Sequence, residues 1–353
     1  MKSLTEGNQP SSLPSLPSDI IHDILSELPV KPLARFRCVC KSWNDLLTSP
    51  IFLDINYRLW RVIVSDSSSE SELQSIDIEA EDPAVANLKS PWNTPILFVG
   101  SCYGLLCVLR DEHLFLWNPC TGQYQRLPDC RPYRNNSYYT FYGFGYDESI
   151  NDYKVVKGVK SKFPDGLSYN VSVYTRKTKY WKRIEDFHWD FLDPYVETGN
   201  WDYLDPYQQT GKLVDGFLHW LAINETHLII SLDLANEKFG EVALPDFESH
   251  NNSILDDVGV LGGMLCLYCR ESGTAMWTIW IMEEYGVKES WTIWMKFNSD
   301  PETLLVPLCL TTNGEVVMQG SQMFKYNPRE YNFKTLLDLK PLAALATEMK
   351  TTV

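Results

Sequence analysis

The chain has 353 residues, 44% hydrophobic and 13% aromatic, enough for a well-buried core and too many for one small helical module. Its formal charge of -15 argues against nucleic acid as a ligand, since phosphate binding needs a basic face, and leans towards partners with a basic patch. The N-terminal MKSLTEGNQPSSLPSLPS lacks the apolar run of a signal peptide, and no segment approaches the roughly 20 apolar residues that span a bilayer. The nine cysteines are therefore expected to be reduced thiols of the cytoplasm or nucleus, away from membranes.

Residues 1–14 read as a disordered N-terminus. Residues 15–55 read as three short helices. Pro17 opens the first, with Asp19 in its first turn, where a carboxylate suits the helix dipole. Ile20, Ile24 and Leu28 form one row, Ile21 and Leu25 the row beside it, and Pro29 ends the helix. Pro32 starts a second helix, on which Leu33, Phe36, Cys40 and Trp43 recur at helical spacing. Ser42 with Asp45 reads as the capping-box start of a third helix, and Pro50 stops it. A module of about 40 residues cannot bury that much apolar surface by itself. The surplus serves either a partner or packing of the module as a cap on the rest of the chain.

Residues 56–93 read as a linker with early strands and an acidic loop. The run DSSSESELQSIDIEAED, 66–82, has seven acids and no base, and reads as solvated. From 94 to 345 short alternating runs are broken by Gly, Asn, Asp and Pro turns, so the body is mainly β. Several segments share one outline: a Gly-marked turn, an apolar strand, a second strand ending in Asn-Pro or Asp-Leu, a turn and a third short strand. Units of about 40 to 50 residues that cannot bury both faces alone suggest a propeller of about six blades. The sixth would combine RLWRVIVSD and LQSIDIE with C-terminal strands; a β-sandwich is the rival architecture. Residues 346–353 read as a tail.

Two dense motif sets resemble known families. Leu16-Pro17, Asp19, Leu28-Pro29-Val30-Lys31, Arg35-Phe36-Arg37-Cys38-Val39, Lys41, Trp43 and Ser49-Pro50-Ile51-Phe52 resemble the F-box, with Cys40 where Ser is more usual. Gly104-Leu105-Leu106-Cys107, Leu116-Trp117-Asn118-Pro119, Tyr142-Gly143-Phe144-Gly145-Tyr146-Asp147, LDLANEKFGEVALPD and IWIMEEYGVKESWT resemble the kelch-like F-box-associated domain of plant F-box proteins. Tyr103 and Asp215 depart from the Asn common there. The resemblance implies a substrate receptor of an SCF-type E3 ubiquitin ligase that binds a Skp-type adaptor and, through it, a cullin. It implies adaptor contacts at Leu16, Pro17, Ile20, Ile21, Leu28, Pro29 and Leu33. Phe36, Val39 and Trp43 serve either the adaptor or the module's own core. An adaptor-bound scaffold that does not destroy its partner, and a propeller enzyme or lectin carrying an F-box, are the rival readings.

No nucleophile elbow, phosphate loop or zinc-protease motif occurs, and six histidines are scattered. No cofactor or metal is expected. Cys266-x-x-Cys269 falls in a predicted strand, where residues three apart face opposite ways. WTIW at 277–280 and 291–294 flanks EEYGVKES, as in a hairpin. WDFLDPY at 189–195 recurs as WDYLDPY at 201–207, in a stretch resembling an insertion. Seven acids and no Lys or Arg lie in 185–205. Trp189, Asp190, Asp193, Tyr195, Trp201, Asp202, Asp205 and Tyr207 are therefore candidate contacts for a basic target, against the alternative of a blade hairpin with inward aromatics.

Overall fold

The computed structural model describes residues 60–348 apart from 67–72, 80–83, 93, 95, 131–136, 164–165, 185–207, 223–226, 247–252, 299–304 and 338–340; it also describes 17, 20–21, 24–25, 36 and 39–47. Two units divide the chain, Met1–Arg58 with Lys350–Val353, and Leu59–Met349.

The second unit is six β-sheets. Blade I holds β1 (Trp60–Asp66), β2 (Leu73–Asp77) and β3 (Ala84–Leu88). Blade II holds β4 (Leu97–Cys102), β5 (Leu105–Arg110), β6 (His113–Trp117) and β7 (Tyr124–Arg126). Blade III holds β8 (Ser137–Asp147), β9 (Asp152–Phe163), β10 (Gly166–Thr175), β11 (Tyr180–Arg183) and β12 (Gln208–Thr210). Blade IV holds β13 (Lys212–Val214), β14 (Phe217–Ala222), β15 (Leu228–Asp233) and β16 (Lys238–Val242). Blade V holds β17 (Ser253–Leu261), β18 (Met264–Glu271), β19 (Met276–Met282) and β20 (Trp291–Asn298). Blade VI holds β21 (Val306–Leu310), β22 (Val316–Gln319), β23 (Met323–Asn327) and β24 (Asn332–Leu337). The last strand, β25 (Pro341–Glu348), returns to blade I and pairs antiparallel with β1, Val62 opposite Ala346.

Alternation along the strands makes these sheets a ring. Each sheet is buried on both faces, and each face feeds a different core. In β1, Val62 and Val64 pack with Cys309 and Val317 of blade VI, while Ile63 between them packs with Phe98 and Trp117 of blade II. In β5, Cys107 and Leu109 turn to blade III, and Leu106 and Val108 to blade I. In β14, Leu218 and Trp220 join blade III, and Leu221 joins blade V. In β22, Val316 and Met318 join blade V. Six cores between six neighbouring pairs close the circle, so this is a six-bladed propeller and not a sandwich. The inner strands touch in turn around the axis, β25 with β4, β4 with β8, β13 with β17 and β17 with β21.

Close packing explains the Tyr142–Asp147 motif. A Cβ on Gly143 would meet Leu218 Cδ1 at 2.6 Å, and one on Gly145 would meet Leu234 Cδ1 at 2.6 Å, so blade IV leans directly on the β8 backbone. The outer hairpins repeat one turn. Asn118 Oδ1 accepts from the amides of Cys120 and Thr121, Asp233 Oδ1 from Ala235 and Asn236, and Asn327 Oδ1 from Arg329 and Glu330. The fifth residue of each turn has positive φ: Gly122 at 72°, Glu237 at 54° and Tyr331 at 54°. This is the Asn-Pro or Asp-Leu outline of the sequence, with its cause. Tyr103 and Asp215 lie in tight turns at φ 47° and 50°, each followed by a glycine. There a Tyr is more strained than Asn would be, whereas Asp tolerates the left-handed region much as Asn does.

The structure moves three expected boundaries. The 56–93 linker supplies most of blade I, because a ring must close with a strand pairing from both chain ends. Within the acidic run, Leu73, Ser75, Ile76 and Ile78 are buried, and Gln74, Asp77 and Glu79 are partly exposed. β25 runs to Glu348, beyond the expected end of the body at 345. The stretch that resembles an insertion, expected to span 187–209, also ends inside the fold, since Gln208–Thr210 pairs parallel with β8.

Candidate docking surfaces

In the N-terminal unit, Ile20, Ile21, Ile24, Leu25 and Phe36 have helical backbone, and Lys41–Leu47 form helix α1. The Ile21 amide donates to the Pro17 carbonyl at 3.1 Å, so the first turn opens at the proline. Helix α1 starts before Ser42, one residue after Cys40, whose Sγ lies 3.2 Å from Ser42 Oγ. Leu25 is fully buried, with Ile21, Phe36, Trp43 and Leu46 packed around it. The Phe36 and Trp43 rings meet edge to face at 5.8 Å. Ile20, Ile24 and Val39 face outwards, 42%, 48% and 58% exposed. Pro17 is exposed as well.

The contact set expected here therefore divides. Pro17, Ile20 and Val39 are on the surface, whereas Ile21, Phe36 and Trp43 surround Leu25. Leu16, Leu28, Pro29 and Leu33 lie outside the described residues. Ile24 is absent from the set that the resemblance implies, although it stands in the row of Ile20 and Leu28; that row was the signal for it.

The propeller has two faces, and its topology assigns the chain to them. A four-stranded antiparallel meander ends on the face where it began, so each crossing to the next blade stays on one face. The start of β1 and the end of β25 lie on the other face, with the tight turns at 103–104, 215–216 and 262–263. Ile184, after β11, and Gln208, which opens β12, both lie on the crossing face. Trp189, Asp190, Asp193, Tyr195, Trp201, Asp202, Asp205 and Tyr207 lie outside the described residues.

The seams between blades hold the buried polar chemistry. At the seam of blades III and IV, Lys154 Nζ lies 2.9 Å from Asp147 Oδ2 and 3.0 Å from Glu237 Oε1, and donates to the Leu234 carbonyl. Burial disfavours the Asp147 and Glu237 carboxylates, but hydrogen bonds from Ser149, Lys154 and Lys182 outweigh it and hold both below their usual range. At the seam of blades IV and V, His219 is fully buried. Its Nδ1 lies 3.1 Å from the Lys212 carbonyl and its Nε2 2.8 Å from the Tyr285 hydroxyl. The carbonyl can only accept, so Nδ1 carries the proton and Tyr285 donates to Nε2. Burial pulls the His219 pKa down to about 4. Cys266 packs towards blade VI and Cys269 towards blade IV, opposite faces of β18. The WTIW hairpin forms with Trp291 opposite Met282 and Trp280 opposite Ile293, and beyond a bulge at Ile279/Trp280 Trp277 lies opposite Phe297, stacked at 6.4 Å. These groups tie blades together, and among the described residues no cluster of His, Cys, Asp and Glu is arranged to hold a metal ion.

Family models match the chain twice, an F-box domain over residues 13–55 and an F-box associated beta propeller domain over residues 52–325. F-box protein At3g07870 of Arabidopsis thaliana is 29% identical, over 92% of this chain and 88% of its own length. F-box protein CPR1 of the same plant is 32% identical, over 79% and 72%. F-box/kelch-repeat protein At3g23880, also of Arabidopsis thaliana, is 28% identical, over 79% and 78%.

Proposed function

Because this chain belongs to the F-box proteins in which an F-box-associated β-propeller follows the F-box, we propose that it is a substrate receptor of an SCF-type E3 ubiquitin ligase. The F-box docks on a Skp-type adaptor and, through it, a cullin. The propeller holds a target protein, and the ligase's conjugating enzyme transfers ubiquitin to a target lysine kept at high effective concentration. The chain itself contributes no catalytic group, and it works in the cytoplasm or nucleus.

One observation carries the adaptor half of this reading: Ile20, Ile24 and Val39 stand exposed beside a small core that Leu25 already fills. Isolated exposed apolar residues are ordinary, but three on so small a unit mark a partner surface. We assign the adaptor contact to Pro17, Ile20, Ile24 and Val39, with Leu16, Leu28, Pro29 and Leu33 from the family motif. Ile21, Phe36 and Trp43 hold that surface in shape. Titration of a Skp-type adaptor against Ile20→Asp/Ile24→Asp tests it. Burying two carboxylates in an apolar contact weakens binding by about 30-fold or more, and wild-type affinity would contradict the assignment.

For the target, the acidic aromatic repeat at 189–207 is the proposed contact. It is supported by its flanks: Ile184 and Gln208 stand on the face away from the ends of the propeller chain, and seven acids without Lys or Arg suit a basic partner. Proteins captured under proteasome inhibition by the wild type, and lost when Asp190, Asp193, Asp202 and Asp205 are changed together to Asn, are the expected targets. Identical capture by both chains would move the site elsewhere.

A further inference from the structure

The described surface has a basic counterpart to that acidic segment. The β10–β11 hairpin reads YTRKTKYWKR from Tyr174 to Arg183, five cations and no carboxylate in a chain of net charge -15. Arg176, Lys177, Lys179, Lys182 and Arg183 are all exposed, and Tyr180 between them is 63% exposed. The hairpin's anchors include a carboxylate, Asp152, whose Oδ2 accepts from the Lys177 amide at 2.6 Å. Lys177 Nζ donates to the Ile150 carbonyl at 2.6 Å, Arg176 lies 5.7 Å from the Tyr153 ring centre, and Trp181 Nε1 donates to the Pro128 carbonyl at 2.7 Å. Lys182 meets a carboxylate, Glu237, at 2.6 Å.

Lysines on an edge strand also serve to keep sheets from pairing edge to edge. That purpose does not account for this density. The outer strand β11 carries two cations in four residues, against none in β3 and one each in β7, β16, β20 and β24, and the turn before it adds Arg176, Lys177 and Lys179. A concentrated cationic strip with an exposed tyrosine has the composition of a binding surface.

We infer that the β10–β11 hairpin of blade III docks an acidic peptide segment of a partner protein. A short peptide suits it better than a nucleic-acid strand. Charges are screened beyond about 8 Å at physiological salt, so a short acidic segment experiences the strip alone. A longer polyanion would run onto the acidic remainder of the chain and be repelled. This inference stands on the hairpin and not on the receptor reading or the acidic repeat.

The test uses the full chain and a fluorescein-labelled twelve-residue peptide of alternating Glu, Asp and Tyr, followed by polarisation at physiological salt and above. Binding is expected, falling as salt is added. Lys177→Glu/Lys179→Glu/Arg183→Glu should weaken it at least tenfold with an unchanged circular-dichroism melt. Lys238→Glu/Lys296→Glu/Lys334→Glu makes the same change in net charge on blades IV, V and VI and should leave binding within twofold. No binding by the wild type overturns the inference, as does equal loss in the two variants, which would reduce the effect to net charge. Tighter binding of a labelled single-stranded oligonucleotide than of the peptide also overturns it.

Discussion

The helical module and the propeller solve the same problem in opposite ways. Both are built from elements with more apolar surface than one element can hide. The propeller hides it by repetition, each blade lending one face to the blade before and one to the blade after, until β25 closes on β1. The module has nothing to repeat. Among its described residues the core is Leu25 and four side chains around it, and Ile20, Ile24 and Val39 are exposed. A closed ring is complete by itself, whereas, on the function proposed, the open module is completed by a partner. The first should answer mutation with stability and the second with affinity.

The strongest way to break the ring is at a seam. Trp220 is fully buried between blades III and IV, edge-on to Phe141 at 5.4 Å, and its indole donates to the Tyr142 carbonyl at 3.0 Å. Its ring also fills the space that a side chain on Gly211 would need. Trp220→Ala should cost about 3–5 kcal/mol, from lost burial, a residual cavity and the loss of the indole hydrogen bond. Chemical denaturation of the full chain measures it. A loss under about 1 kcal/mol would mean that the blades do not depend on this seam.

The corresponding change in the module is Leu25→Ala, with an expected cost of about 2–5 kcal/mol to that unit's own stability. Its effect should be local. Hydrogen exchange should quicken at the amides of Ile21 and Lys41–Leu47 while β5, β14 and β22 keep their protection. Faster exchange in those strands would show that the ring needs the module.

Acid offers a reversible probe of the seams. His219 is neutral in the fold, with a pKa of about 4 against an ordinary value near 6.5. The unfolded chain therefore binds the extra proton first as pH falls. The stability tied to the neutral ring is intact above pH 6.5 and is lost progressively down to about pH 4, up to about 3 kcal/mol. Asp256 works the other way. Burial raises its carboxyl to about 6, although Arg270 Nε sits 3.2 Å away, so the fold loses stability as pH rises from about 4 to 6. The two oppose each other in the wild type, and the informative quantity is a difference. The gap in unfolding free energy between wild type and His219→Gln should shrink by as much as about 3 kcal/mol from pH 7 to pH 4. A gap that does not move with pH would place the His219 proton elsewhere.

What could be read in the sequence followed the same division. Blades were legible because the devices that form them are local: the two-residue turns at Tyr103-Gly104 and Asp215-Gly216, and the side chains of Asn118, Asp233 and Asn327 folding back on their own turns. The seams were not legible, because they join residues far apart in the chain. Lys154 finds Glu237, and His219 finds Tyr285. Glu79 shows the limit well. In the acidic run it looks like one more solvated carboxylate, yet it accepts from the amide and hydroxyl of Thr312, clipping blade I to blade VI. The module's apolar rows were legible at helical spacing, but spacing could not separate Ile21, which turns to Leu25, from Ile20 and Ile24, which turn to water.

That separation gives the smallest effect on stability and the sharpest test of the contrast. Ile20→Ser/Ile24→Ser removes apolar groups that water already reaches, so the folded unit gains no cavity and leaves no buried group unpaired. Its unfolding free energy should change by no more than about 0.5 kcal/mol. The same pair should cost the adaptor complex about 2 kcal/mol or more, since each side chain goes from half exposed to covered on docking. Leu25→Ala would lower both quantities, because a collapsed module also loses its surface. The serine pair should lower only one. If it destabilised the free chain as much as it weakened the complex, Ile20 and Ile24 would belong to the module's own packing, and the docking face would have to be sought around Val39.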